Sequence, residues 1–181
     1  MPPIRPCELP ATALLRKYQG GQAYVDCYVA EVPLAVSHAE FVAAFYTTRL
    51  FKLERAILKW LAALPSSDAG AQALAAGGAS TFAAWRVEGR DADQLLMADL
   101  LGRTRSWLMA SPAGGNPAGR STRLYFGSAL VPKLDPSSGR LAMGFAFYAL
   151  GGFHRLYSRL LLGAACQRLL ASRCKSQAGQ P

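Results

Sequence analysis

The residues best suited to chemistry or ligand contact lie on one β-like run, Trp85-Arg86-Val87-Glu88. Alternation places Arg86 and Glu88 on one face of such a strand and Trp85 and Val87 on the other. If the charged face points into a cavity, the two charges must pair or meet a polar ligand group, because an unpaired buried charge is costly. Asp26 on an earlier strand and Asp99 on the next could join them. Trp107, flanked by Arg105 and Met109, poses the same question of face. A stripe of Trp85, Trp107 and Tyr125 across neighbouring strands would line an apolar pocket or fill a core. His154 stands at the start of a closing helix, near Tyr157, where it could grip a ligand or simply pack and cap. His38 falls inside a capping box and is expected to face solvent.

Other chemistries lack their signatures. There is no Gly-x-Ser-x-Gly elbow, no Walker loop, and no Gly-x-Gly-x-x-Gly turn after a strand. No nucleophile–base pair can be nominated from spacing, so the catalytic residues, if any, are unknown. The four cysteines, at 7, 27, 166 and 174, form no Cys-x-x-Cys pair and have no histidine at metal-ligand spacing. They read as reduced thiols, and no metal or cofactor is expected. Cys166 and Cys174 lie two turns apart on one helix, too far to bridge. Aromatic and basic residues alternate at Arg123-Leu124-Tyr125-Phe126, but without a recognised RNA or DNA motif a nucleic-acid partner is not expected.

The elements that would position these residues follow from pattern. Residues 1–21, with three early prolines, read as an extended lead-in carrying one helical turn near Thr12 to Tyr18. Gln22 to Val32 alternates as a strand. Ser37-His38-Ala39-Glu40 opens a helix to about Thr47, and a second helix spans about Arg49 to Leu64, stopped by Pro65. A third, Ser67 to Ala76, ends at Gly77-Gly78. Strands follow at Thr81 to Gly89, Gln94 to Leu101, Arg103 to Ala110 and Ser121 to Val131, with loops at Ser111 to Gly119 and Lys133 to Arg140. Met143 to Leu150 fits strand or helix equally. A closing helix runs from about Gly152 to Lys175, with Phe153, Leu156, Tyr157, Leu160, Leu161 and Ala164 as its apolar stripe. Residues 22–175 would form one domain, and 176–181 a frayed tail.

The runs Phe82-Ala83-Ala84-Trp85-Arg86-Val87-Glu88, Leu95-Leu96, Gly102-Arg103-Thr104-Arg105-Ser106-Trp107-Leu108, Phe147-Tyr148-Ala149-Leu150 and Phe153-His154-Arg155-Leu156 follow one another in a distinctive order. On these runs, roughly residues 81 to 170 resemble a bacterial family of unknown function with a START-like, or Bet v 1-like, helix-grip fold. Its members occur alone or attached to short-chain-dehydrogenase-like proteins. Gly152 stands where such sequences tend to have proline, and an attached nucleotide-binding domain is not expected. The resemblance implies an α+β fold in which a curved antiparallel sheet wraps a long C-terminal helix. The wider superfamily holds lipids, sterols, polyketides or aromatic metabolites between sheet and helix, and some members are cyclases or dehydratases.

Composition agrees with a soluble core-forming chain: 181 residues, 51% hydrophobic. The longest uncharged apolar run, Leu141 to Phe153, is too short for a membrane span, and the first residues lack a signal-peptide core. A cytoplasmic location is expected. The net charge of +9 is concentrated after residue 119, where Asp135 is the one acidic residue. That basic end could meet an anionic surface or be a solvated face. The expected function is binding of an apolar or amphipathic small molecule between the sheet and the C-terminal helix. Trp85, Trp107, Tyr125 and Tyr157 would line the box, and Arg86, Glu88 or His154 would anchor a polar group. The alternatives are an enzyme on the same fold, using Glu88, Asp99 or His154, and a protein that docks its basic face on a membrane or partner.

Overall fold

A computed structural model describes residues 2–52, 66–115, 120–134, 141–142 and 145–178, with side chains for all of these except 115, 133–142, 145–154 and 175–178. The expected helix over Arg49 to Leu64 is helical at 49–52, and its remainder lies outside the described residues.

The elements are β1 (Arg5–Pro6), β2 (Tyr24–Val32), α1 (His38–Tyr46), α2 (Asp68–Ala75), β3 (Thr81–Phe82), β4 (Trp85–Arg90), β5 (Gln94–Asp99), β6 (Thr104–Pro112), β7 (Thr122–Leu130), β8 (Lys133–Leu134), β9 (Leu141–Ala142) and α3 (Phe145–Ala178). A short 3-10 helix covers Leu14–Tyr18. Seven strands form one antiparallel sheet in the order β1-β2-β7-β6-β5-β4-β3, and β8 pairs with β9 apart from it. The molecule is thus α+β.

Local chemistry accounts for most of these boundaries. At α1, the Ser37 hydroxyl accepts from the Glu40 backbone N–H at 3.2 Å, and the Glu40 carboxylate accepts from the Ser37 N–H at 2.8 Å. That reciprocal pair satisfies two otherwise orphaned donors. Ser67 caps α2 through the Gly70 N–H, and Gly77 follows its end at φ +83°, a left-handed conformation glycine adopts without penalty.

Among the expectations that change, three concern the β3–β4 segment and α3. First, Thr81 to Gly89 is not one strand but a hairpin. Phe82 pairs with Trp85 across a two-residue turn, and Ala83 sits at φ +51°. Alanine gives no sign of such a turn, since left-handed geometry costs it about 1–2 kcal/mol. Second, α3 begins at Phe145 and runs through Gly151-Gly152 without a break. Each glycine costs about 1 kcal/mol against alanine, which the flanking helix and its packing outweigh. Third, the buried face of α3 is Ser158, Leu161, Leu162, Ala165, Cys166 and Leu169. Leu156 and Leu160, expected inside, are 55% and 49% exposed. The face is turned by about one residue, roughly 100°.

Both faces of the sheet are covered. One carries the helices: Tyr28, Leu95, Met97, Leu108, Leu124 and Phe126 pack with α1, α2 and α3. The other is covered by the N-terminal segment, the expected lead-in. Leu9, Ala13 and Leu15 pack on Cys27, Leu96, Trp107, Met109 and Ala129. Leu15 is wholly buried above Gly127, where a Cβ would lie 2.8 Å from its Cδ2 and 3.0 Å from Trp107 Cε3. Gly127 therefore lets the strap lie flat on β7.

His38 is half-buried rather than solvent-facing, and its Nε2 is buried without a hydrogen-bond partner. Burial pushes its imidazole below the ordinary value.

Candidate functional site

The sheet separates the expected pocket residues. Trp85 packs against the helix-side core, as does Tyr157 of α3. Trp107 and Tyr125 belong to the strap side, with ring centroids 6.3 Å apart. The four therefore do not line one box. Trp107 is wholly buried, and its indole N–H donates to Gln94 Oε1 at 2.9 Å. The same oxygen accepts from the Leu14 N–H, and Gln94 Nε2 donates to the Thr12 carbonyl. Gln94 ties the strap to β5 and β6, a role that no sequence pattern signals.

The charged candidates also part. Arg86 is exposed, on the strand face opposite Trp85 and Val87. A bulge between Val87 and Gly89 frees Glu88 from the β4–β5 register. Its carboxylate meets Lys17 Nζ at 2.5 Å, accepts from Arg105 Nε at 2.9 Å, and accepts from the Tyr18 hydroxyl. The Arg105 guanidinium also lies 4.9 Å from the Tyr18 ring centroid. Asp99 does not reach this group; its Oδ1 accepts from the Arg103 and Thr104 backbone N–H groups. The His154 side chain lies outside the described residues.

Burial of Glu88 opposes its ionisation. The hydrogen bonds from Lys17 and Tyr18 and the charges of Arg105 and Lys17 outweigh it, so the carboxyl titrates below its ordinary 4.5. A carboxylate lowered on folding stabilises above its unfolded pKa and loses that contribution as pH falls through the lower folded value. The expected result is that Glu88→Gln is less stable than wild type at neutral pH. The difference should shrink below about pH 4.5. Paired urea titrations across that range would check it, and a constant gap would sink the assignment.

Asp26 lies on the other side of the sheet from Glu88, toward α3. One of its oxygens accepts from the Ser128 hydroxyl; the other, Oδ2, is buried without a partner. Ser158 Oγ, on the buried face of α3, is also buried without one. Around Asp26 opens a groove of about 660 Å³, lined by Pro6 to Leu9, Gln19, Tyr24 to Tyr28, Arg155, Leu156 and Arg159. It exists because β1 is only two residues long and leaves the far end of β2 unpaired. The helix bridges it: Arg155 Nε donates to the Tyr24 hydroxyl at 2.9 Å, and Arg159 Nη2 donates to the Ile4 carbonyl at 3.4 Å. Burial and the charge of Asp26 push the Tyr28 phenol up to about 12, so it remains protonated. The groove thus offers an acceptor, two exposed guanidinium groups, tyrosine walls and the exposed Leu156. Of these, sequence reading singled out Asp26 as a site residue, though for the wrong face.

A larger groove, about 1010 Å³, separates α1 and α2 from the C-terminal half of α3. Its walls mix alanines with threonine, glutamine and arginine side chains, and Arg173 is engaged by Glu40 and the Ala35 carbonyl. It holds no buried polar atom that lacks a partner among the described residues.

Among the described residues no three His, Cys, Asp or Glu side chains gather as a metal site. Nor is any helix there long and apolar enough to cross a membrane. Fold and groove together define an α+β protein with a seven-stranded antiparallel sheet, a long C-terminal helix and a polar-floored cleft between them. Comparisons with protein-family models, with curated proteins and with solved structures each found no match.

Proposed function

We propose that this chain is a cytoplasmic small-molecule-binding protein of the helix-grip type, START-like or Bet v 1-like. Its ligand is amphipathic and lies in the groove between β2 and α3. The order strand, helices, antiparallel meander and closing helix supports the fold reading. The observation that carries the function is the buried, unpartnered Asp26 Oδ2 on a groove walled by tyrosines and an exposed leucine. An orphaned buried acceptor is costly in an empty apolar site and is satisfied by a ligand hydroxyl or ordered water. Arg155 and Arg159 would take an acidic head group, and Leu156 and Tyr24 an apolar body.

The test is calorimetric titration with a hydroxylated long-chain fatty acid and with its methyl ester. Saturable binding of the acid is expected, weaker by about tenfold for the ester and by about ten- to a hundredfold after replacing Arg155 and Arg159 with glutamine. Failure of both acid and ester to saturate would overturn the reading. So would equal binding by the variant that lacks Arg155 and Arg159.

A further inference from the structure

The two cysteines at this end of the sheet were not expected to meet. Cys7 follows β1, whose register pairs Arg5 with Val29 and Pro6 with Tyr28. One step further sets Cys7 opposite Cys27, and the Cys7 N–H donates to the Cys27 carbonyl at 3.0 Å. The sulfurs are 3.4 Å apart, both as free thiols. Directly opposed antiparallel residues have Cα atoms about 4.5–5.5 Å apart, within the range a disulfide spans. Cys27 is buried, whereas Cys7 is half-exposed. Both line the β2–α3 groove. The other thiols have no such neighbour: Cys166 is buried in the helix-side core, and Cys174 is exposed on α3.

We propose that Cys7 and Cys27 form a reversible dithiol–disulfide site that reacts with low-molecular-weight disulfides and, when oxidised, staples the N-terminal strap to β2. The Cys7 thiolate attacks one sulfur of the small disulfide, expelling the other half as a thiolate and leaving a mixed disulfide on Cys7. Cys27 then gives up its proton and attacks Cys7 Sγ, releasing the second half as a thiol. The two protein thiols are oxidised, the reagent disulfide is reduced to two thiols, and the protons pass to water or to the departing thiolates. The buried resolving thiol beside a more accessible attacking one matches the order of these steps. Hydrogen bonding from Cys27 favours ionisation of Cys7.

The site is independent of the ligand reading and is tested without any ligand. Native protein is incubated with oxidised glutathione at neutral pH, alkylated, and mapped by mass spectrometry without reduction. The expected product is an intramolecular Cys7–Cys27 link that dithiothreitol reverses, with Cys166 still free. Closing a loop of this length should raise Tm by about 6–12 °C. Cys27→Ser should stop at a stable glutathione adduct on Cys7, and Cys7→Ser should form no internal link. Glutathione retained on Cys7 of the native protein with Cys27 still free would overturn the proposal. So would a link that appears only after unfolding, or modification confined to Cys174.

Discussion

Trp107→Ala is expected to lose about 3–5 kcal/mol of folding stability, the usual cost of emptying a buried indole site. It should leave the β2–α3 groove intact in the molecules that remain folded. Trp107 is wholly buried between the sheet and the strap, it donates to Gln94, and it sits against Leu15 and Gly127. It faces away from α3 and is not among the residues that line that groove. Urea unfolding gives the stability change, read as a lower midpoint. Since a domain of this size holds only about 5–15 kcal/mol in total, Trp107→Phe is the companion variant. It keeps a smaller aromatic ring and loses the N–H donor, and should cost less than the alanine variant, about 1–3 kcal/mol. A small stability loss joined to a collapse of ligand affinity would show instead that Trp107 lines the pocket.

Gln94→Ala should cost about 2–4 kcal/mol, out of proportion to the apolar surface removed. One buried side chain serves three partners: the Leu14 N–H, the Trp107 indole N–H and the Thr12 carbonyl. Its removal leaves two donors and an acceptor unsatisfied at a site where Gln94 itself is 3% exposed. Because two of the partners belong to the strap, the loss should be read there first. Trypsin should cut after Arg16 and Lys17 several-fold faster in the variant under native conditions, as local opening becomes easier. Gln94→Glu separates the contributions. It keeps the acceptor oxygen but replaces the donor to Thr12 with a second oxygen and adds a buried charge, so it too should open the strap. An unchanged cleavage rate with a lowered urea midpoint would mean that the strap is held by Leu15 and the Glu88 cluster rather than by Gln94.

Signals that act over a few residues were legible in the chain. Ser37 and Glu40 announce the start of α1, Ser67 and Gly77 bracket α2, and Gly102 marks the break before β6. Each is a hydrogen bond or a dihedral preference settled among near neighbours in sequence. The Ala83-Ala84 turn was not legible, because neither residue favours the left-handed geometry that Ala83 adopts. Its energetic support comes from pairing Phe82 with Trp85 and from burying Phe82 against Tyr46 and Phe51.

The candidate site was legible in residue types but not in faces. Strand alternation correctly put Glu88 opposite Trp85 and Val87, but the expected stripe joined Trp85 to Trp107 and Tyr125, which lie on opposite sides of the sheet. It could not say which side the helices cover. In a sheet with one wet face, polarity decides that. Here the strap buries the second face as well, so both faces are apolar and the pattern loses its sign. The same holds for α3, whose leucines occur on more than one face; contact with β2 and β7 decided that Leu161 and Leu162 go inside while Leu156 and Leu160 remain exposed. Local signals place where most elements begin and end, because capping, turn and alternation energies act among near neighbours in the chain. Tertiary structure alone decided that a proline-rich start becomes a strap, that Cys7 meets Cys27, and that Asp26 rather than Glu88 stands on the groove. Those outcomes depend on contacts between residues far apart in the chain, whose energies no local pattern carries.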